Sequence, residues 1–160
     1  MTFNRDPHLE ERFPKLRDGV YLQKSERDVR YNCFAFVAND TYHIWQYTGR
    51  GRLGGYFWPD EVEGDSLEHV IRVYSLIGFA LCDNDILEDG FVKIAIYVDD
   101  DRIPSHAARQ TRDGTWVSKL GWRGKDIEHN TLDLLAGNEK DEYGTVETYM
   151  KRIRYDWEDQ

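Results

Sequence analysis

The sequence predicts an α+β fold in which N-terminal helices pack on an antiparallel β-meander. Two observations lead to this prediction. In the first half of the chain the apolar positions follow helical spacing, whereas in the second half β-branched segments alternate with tight turns. The chain has 160 residues, which is the length of one ordinary domain and enough to bury a core. We therefore expect a single domain that spans residues 1–160.

Three segments of the first half are predicted to be helical. A short charged helix occupies residues 7–15, and a second helix opens at Cys33 and ends at residues 39–40, where short polar side chains favour a turn. A third helix follows Ser66, which can cap its start, and ends at Gly78. Residues 17–30 are predicted to be a polar lead-in to the second helix, and residues 43–59 to be an aromatic and glycine-rich loop. Cys82 is predicted to be a small apolar side chain that is buried.

The second half is predicted to form the meander. Residues 91–98 are rich in β-branched side chains, and Asp113-Gly114 between two alternating segments is a hairpin signal. The predicted order is a strand at 91–98, a turn at 99–101, strands at 105–109 and 115–121, a loop at 126–129, a short helix at 131–136 and a last strand at 143–150. The alternation of side chains along the strands predicts that four residues lie in the core, namely Ile94, Ile96, Trp116 and Leu120. It also places Ser118 on the same face of its strand as Trp116.

Composition excludes several classes of function. The formal net charge is −9 and no stretch collects Lys and Arg on one face, so we expect no nucleic-acid partner. No apolar run approaches the ~20 residues of a membrane span, and the N-terminus lacks the apolar core of a signal peptide. We therefore expect no membrane association. Two cysteines in different contexts make no disulfide framework, which favours the reducing cytoplasm.

One cysteine and one histidine suggest chemistry. Cys33 opens a short apolar, helix-capable run, and a helix N-terminus carries partial positive charge that stabilises a thiolate. His106 lies far downstream on a predicted strand next to a turn. A helix-start cysteine with a distant strand histidine is the outline of a Cys–His nucleophilic site. The alternative is that Cys33 is a buried core thiol.

No cofactor and no metal ion are expected. The five histidines form no short pair with each other or with cysteine. The three aspartates at 99–101 lack the ligand spacing of a calcium loop, so we interpret them as a solvated turn. Residues 49–54 match the spacing Gly-x-Gly-x-x-Gly, but they neither follow a clear strand nor open a helix, which excludes a dinucleotide site.

These features together resemble two families. A helix that opens with Asn32-Cys33, followed by an antiparallel sheet with His106 on an early strand, resembles papain-like cysteine hydrolases in their small bacterial form, the CHAP and cell-wall-amidase type. More narrowly, the chain resembles a bacterial family of domain-of-unknown-function proteins. That likeness rests on Asn32-Cys33-Phe34-Ala35, Tyr56-Phe57-Trp58-Pro59, His106-Ala107-Ala108-Arg109-Gln110, residues 116–121 and Asp126-Ile127-Glu128-His129.

The papain-like resemblance implies a role for each matching residue. Cys33 matches the nucleophile and His106 the base that takes its proton. The third residue, which orients the imidazole, is Ser118 by strand position. A serine hydroxyl is a weak acceptor, so Asp126, Glu128 or His129 from the following segment are the alternatives. The Cys33 backbone N–H matches an oxyanion donor, with Asn32 or Gln110 as possible side-chain donors.

Two functions follow as hypotheses. The first is a Cys–His hydrolase or acyl-transferase that acts on an amide or thioester bond of a protein or peptide-like substrate. The second is a non-catalytic papain-like scaffold that serves as a protein-interaction or immunity-type module. An acidic surface suits a basic protein partner, which favours the second. The reactivity of the Cys33 thiol discriminates between the two.

Overall fold

The computed structural model describes residues 5–49, 54–121, 124–139 and 141–158. Within these ranges the helices are α1 (Pro7–Arg12), α2 (Cys33–Phe36) and α3 (Leu67–Ser75), with 3₁₀ helices at Pro14–Asp18 and Leu132–Leu135. The strands are β1 (Tyr21–Gln23), β2 (Ile44–Trp45), β3 (Tyr56–Phe57), β4 (Ala80–Cys82), β5 (Phe91–Val98), β6 (Pro104–Gln110), β7 (Trp116–Lys119), β8 (Asp126–His129) and β9 (Thr145–Ile153).

The centre of the fold is a seven-stranded sheet in the order β1-β8-β7-β6-β5-β9-β4. Every neighbouring pair in it is antiparallel. Strands β5 to β8 form the meander, and β9 returns to pair with β5 on its other side. Strands β2 and β3 form a separate two-stranded parallel sheet. The chain is therefore a mixed α/β protein with an antiparallel sheet and few helices, and the expectation of an antiparallel sheet is confirmed.

Strand β5 is buried on both faces. Its β-branched run Phe91–Val98 alternates, so that Ile94 and Ile96 face one way while Ala95 and Tyr97 face the other. The first face packs with side chains from α2 and α3, including Ala35 and Tyr74. The second face packs with side chains from the two 3₁₀ helices, including Leu16, Leu132 and Leu135. The sheet is thus covered on both sides, and the four predicted core residues Ile94, Ile96, Trp116 and Leu120 are all buried.

Helix α3 begins and ends where its local chemistry dictates. The Ser66 hydroxyl accepts from the His69 backbone N–H, and the His69 ring accepts from the Ser66 N–H, which completes a capping box. At the other end Gly78 has φ of +100°, a conformation that is open to glycine and strained for other residues. The predicted third helix is confirmed.

Several sequence expectations were wrong or incomplete. Helix α2 ends at Phe36, whereas the sequence predicted its end at residues 39–40. Residues 126–129, predicted to be a loop, form strand β8 between β1 and β7. The polar lead-in at 17–30 contains β1, and the predicted loop at 43–59 contains β2 and β3, while residues 50–53 of that loop lie outside the described residues. Cys82 is half-buried rather than buried, because β4 is an edge strand that pairs only with β9.

Within the described ranges, no helix has both the length and the apolar character that a membrane crossing requires.

Trp116 tests the register of β7. Its side chain is 3% exposed and belongs to the cluster on the Tyr97 face of the sheet. Trp116→Ala should lower the free energy of unfolding by about 3–5 kcal/mol, since it leaves a large cavity in a packed core. Urea unfolding measures this loss. The matched control is Trp157→Ala, because Trp157 is 59% exposed and should cost about 0.5 kcal/mol or less. Equal losses in the two variants would contradict the register.

Candidate functional site

Cys33 is the first residue of α2, and the preceding residue fixes this helix start. The Asn32 side chain accepts from the Ala35 and Trp45 backbone N–H groups and donates to the Trp45 carbonyl oxygen. The cap therefore also ties α2 to β2. The predicted position of Cys33 at a helix N-terminus is confirmed. Both polar atoms of the Asn32 amide therefore take part in holding this helix start.

The environment of the Cys33 thiol favours its neutral form. The side chain is 6% exposed. Burial raises the pKa of the Cys33 thiol to about 11, and this effect outweighs the backbone N–H of Ala107 and the Lys119 ammonium, which both favour the thiolate. At neutral pH the group is therefore a thiol, whereas the thiolate is the nucleophile.

His106 lies on β6, on the face of the sheet opposite to α2. Its ring stacks on Tyr143, with the centroids 4.0 Å apart and the planes parallel, and it contacts Tyr97 at 5.3 Å. The next residue, Ala107, faces the other way and packs in the cluster that contains Ala35 of α2. Alternation along β6 therefore separates the His106 ring from the face on which α2 packs.

The His106 ring is fully buried and makes no polar contact that could activate a thiol. Neither ring nitrogen has a hydrogen-bond partner within the described part of the chain. Burial lowers the pKa of His106 well below its usual value, so the imidazole is neutral at pH 7. His106 thus lies on β6, and Cys33 begins the helix that packs on β6, but no hydrogen bond joins the two side chains.

Ser118 orients a different histidine. Its hydroxyl lies 2.8 Å from Nε2 of His129, and Nδ1 of His129 lies 2.9 Å from the Thr131 carbonyl oxygen. Because a carbonyl oxygen only accepts, Nδ1 carries the proton and Nε2 accepts from the Ser118 hydroxyl. Ser118 and His129 are both buried. This Ser–His pair therefore forms a structural hydrogen-bond chain inside the core.

Tyr31, Lys119 and Asp126 form a cluster of polar residues on the α2 face. The Lys119 ammonium donates to the carbonyl oxygens of Asp28 and Gly124 at 2.6 and 2.5 Å, and it lies over the Tyr31 ring. The Tyr31 hydroxyl donates to Oδ2 of Asp126 at 3.1 Å. Burial lowers the pKa of Lys119 and raises the pKa of Asp126. This cluster was missed from the sequence, although alternation along β7 places Lys119 opposite to Trp116 and Leu120.

The remaining predicted residues have other partners. The Gln110 amide nitrogen donates to the Asp85 carbonyl oxygen at 2.8 Å. Glu128 accepts from the Thr115 hydroxyl and lies 3.5 Å from the Lys24 ammonium. No group of three or more His, Cys, Asp or Glu side chains that could hold a metal ion occurs in the ranges that the structure describes.

The buried histidines predict a pH-dependent stability. Burial lowers the pKa of His129 to about 4, and it lowers the pKa of His106 as well. An unfolded histidine has a pKa of about 6.5. Between pH 6.5 and the lowered pKa values of the folded state, the unfolded chain binds more protons than the folded chain. The free energy of unfolding should therefore fall as the pH falls from 6.5 towards 4. Each histidine contributes a slope of up to about 1.4 kcal/mol per pH unit.

Urea unfolding between pH 7 and pH 5 measures this slope. The variant His129→Gln should reduce it by roughly the share of one histidine. His8→Gln, which changes an exposed side chain, should leave it unchanged. A wild-type stability that stays constant over this interval would show that the two rings are not buried in neutral form.

No curated protein matches the chain, and no solved structure matches it. The family described as "Domain of unknown function (DUF7689)" matches residues 22–151. This match covers well over half of the chain, from β1 to β9, and includes Cys33, His106, Ser118 and Asp126. The chain therefore belongs to the DUF7689 family.

Proposed function

We propose that this chain is a non-catalytic module that binds a basic protein partner. The observation that carries the proposal is the environment of His106. A base that activates a cysteine must lie within hydrogen-bond reach of the thiol. The His106 ring instead stacks on Tyr143, on the far face of the sheet from α2, and both of its nitrogens are without a partner among the described residues.

The charge states of the two groups support the same proposal. A Cys–His nucleophile works as a thiolate–imidazolium pair or passes directly through one. Burial disfavours both charged forms here, because it raises the pKa of Cys33 to about 11 and lowers the pKa of His106. Moving a proton from this thiol to this imidazole would therefore place two charges in an apolar core.

The proposal keeps the papain-like resemblance as a statement about the scaffold. Its support is the packing of α2, which opens at Cys33, against β6 and β7, the strands of His106 and Ser118. On this interpretation Cys33 and His106 are structural residues of a papain-like scaffold. Both cysteines of the chain are free thiols, and this is the basis on which we propose the reducing cytoplasm as its compartment.

The surface offers a place for the partner in the segment 81–90, which runs from β4 to the start of β5. Leu81, Ile86 and Leu87 are exposed in it, with exposed fractions of 63%, 67% and 45%. The same segment contains four acidic residues, Asp83, Asp85, Glu88 and Asp89, of which Glu88 forms an ion pair with Lys151. Exposed apolar side chains among acidic ones suit a partner segment that is both apolar and basic. We propose segment 81–90 as the docking surface.

Thiol reactivity separates this proposal from the competing hypothesis of a Cys–His hydrolase or acyl-transferase. In a Cys82→Ser variant, Cys33 is the only thiol. We expect iodoacetamide to leave it unmodified below pH 8 and to modify it after unfolding in urea, as the raised pKa and the burial of the thiol require. Mass spectrometry after timed exposure measures the modified fraction.

The opposite result supports the hydrolase. The hydrolase hypothesis predicts rapid alkylation of Cys33 in native Cys82→Ser protein at pH 6–7. It also predicts that adding His106→Ala raises the apparent pKa of the Cys33 thiol. Ser118→Ala then tests the orienting role, since loss of an orienting residue weakens the pair in the same direction.

A binding measurement tests the docking surface. The probe is a fluorescent peptide that alternates lysine and leucine, and its affinity is measured by anisotropy at physiological salt. The double variant Asp83→Lys/Asp89→Lys should weaken binding by about tenfold or more, because charge complementarity becomes repulsion next to the apolar side chains.

The matched control is Asp100→Lys/Asp101→Lys, which makes the same change in net charge at an exposed turn. This control should retain most of the affinity. Equal losses in both double variants would show that only the net charge of −9 attracts the peptide, and segment 81–90 would then not be the docking surface.

A further inference from the structure

A small pocket lies where strands β2 and β3 end. The two strands are parallel, with Trp45 opposite Phe57, and the Gln46 N–H continues their pairing by donating to the Phe57 carbonyl oxygen at 3.1 Å. Because paired parallel strands run in the same direction, Tyr47 and Trp58 leave the small sheet at the same end. The pocket that they line has a volume of about 220 Å³. Sites for drug-sized ligands are larger, at roughly 300–1,000 Å³, so this pocket suits the end group of a molecule.

Two aromatic rings line this pocket. The ring centroids of Tyr47 and Trp58 are 6.4 Å apart, and the ring planes are inclined by 58°. The Trp58 ring is held in place, since its Nε1–H donates to the Val62 carbonyl oxygen at 3.0 Å, and the Val62 N–H closes a turn with the Pro59 carbonyl oxygen at 3.1 Å. A cation on an aromatic face lies within about 6 Å of the ring centroid. At the observed separation one cation can satisfy this distance for both rings.

The charged residues of the pocket are acidic. Asp60 and Glu63 line it and are exposed, whereas no lysine or arginine occurs among the described residues that line it. The faces of aromatic rings are also negative, so the rings and the carboxylates attract the same sign of charge. Carboxylates alone would attract any cation, and rings alone would also accept a neutral apolar group. The two together favour a cation with an apolar shell, such as a quaternary ammonium, over a strongly hydrated primary ammonium.

We propose that this pocket binds the trimethylammonium group of a small molecule. The methyl groups contact the rings of Tyr47 and Trp58, and the carboxylates of Asp60 and Glu63 balance the positive charge. Segment 81–90, the docking surface proposed above, contributes none of the described residues that line the pocket, and for this reason we assign a small molecule rather than a side chain of the protein partner. The site goes beyond the proposed function and does not involve the Cys33 thiol.

The experiment uses the full chain and three probes. Choline carries the trimethylammonium group. The neutral alcohol in which a carbon atom replaces the nitrogen of choline has the same shape but no charge, and ethanolamine keeps a positive charge but lacks the methyl groups. Isothermal titration calorimetry measures the dissociation constants. We expect choline to bind with a dissociation constant below about 1 mM, and each of the other two probes to bind about tenfold more weakly or worse.

Variants of the rings locate the binding. Tyr47→Leu keeps an apolar side chain without a ring face, so it should weaken choline binding by about fivefold or more. Tyr47→Phe keeps the ring face and should retain most of the affinity. Trp58→Leu should weaken choline binding by at least as much as Tyr47→Leu, because tryptophan is the best partner for a cation. Trp58 also packs against the core, so the two Tyr47 variants keep the test informative if Trp58→Leu does not fold.

Variants of the carboxylates test the charge. The double variant Asp60→Asn/Glu63→Gln should weaken choline binding by about fivefold or more and leave the binding of the neutral alcohol unchanged. The matched control is Asp100→Asn/Asp101→Asn, which removes the same charge at an exposed turn that does not line the pocket. This control should bind choline as the wild type does.

A peptide with trimethyl-lysine tests the source of the group. A dissociation constant within about tenfold of that of choline supports a small molecule, since the end group then supplies the affinity. A peptide that binds more than about tenfold more tightly than choline would assign the pocket to a modified protein side chain and overturn the assignment to a small molecule.

Three other results would overturn the proposal. One is that choline does not bind at millimolar concentration. Another is that the neutral alcohol or ethanolamine binds as tightly as choline, which would show an unselective apolar pocket or mere attraction by the net charge of −9. The third is that folded Tyr47→Leu protein binds choline as tightly as the wild type.

Discussion

The two-residue period of strand β6 decides which side chains this chain can bring together. Ala107 packs against α2, and His106 packs against Tyr97 and Tyr143 on the other face. Because β6 lies inside the seven-stranded sheet and both faces are covered, a shift by one residue would move Arg109 into the aromatic cluster. Arg109 would then lose its hydrogen bonds to Asn39 and to the Phe36 carbonyl oxygen. The register that gives each face its core therefore also turns the His106 ring away from the face on which Ala35 of α2 packs.

The polar groups that this register buries are stabilised by backbone carbonyl oxygens. Lys119 donates to two of them on the α2 face, and His129 donates to the Thr131 carbonyl oxygen on the other. Each such contact ties a strand of the sheet to a neighbouring loop or turn. His106 differs, since stacking on Tyr143 gives it an apolar contact but no hydrogen bond within the described residues. A buried imidazole in that situation is stable only in its neutral form, in agreement with its lowered pKa.

The parts of the fold that depend on local chemistry could be predicted from the sequence. Strand β5 follows from its β-branched run, and α3 follows from Ser66 and Gly78. Strand β8 could not be predicted, because its acidic residues Asp126 and Glu128 are more typical of loops than of strands. In the fold both residues line a cleft on one face of the sheet. That omission also explains why the contact between Ser118 and His129 was not predicted. The strand and face of Ser118 were predicted, but its partner His129 belongs to β8, and only tertiary pairing brings the two together.

Asp126 connects the packing of α2 to the chemistry that the α2 face can offer. The β7–β8 register places it directly beside Lys119, whose ammonium is held by two carbonyl oxygens, while Tyr31 before α2 takes one of the carboxylate oxygens. Burial raises the pKa of Asp126, and the hydrogen bonds of Tyr31 and Ser25 and the charge of Lys119 oppose this shift, because they favour the carboxylate. The segment 31–36 thus contributes to this face through the Tyr31 hydroxyl and the Phe36 side chain rather than through the Cys33 thiol.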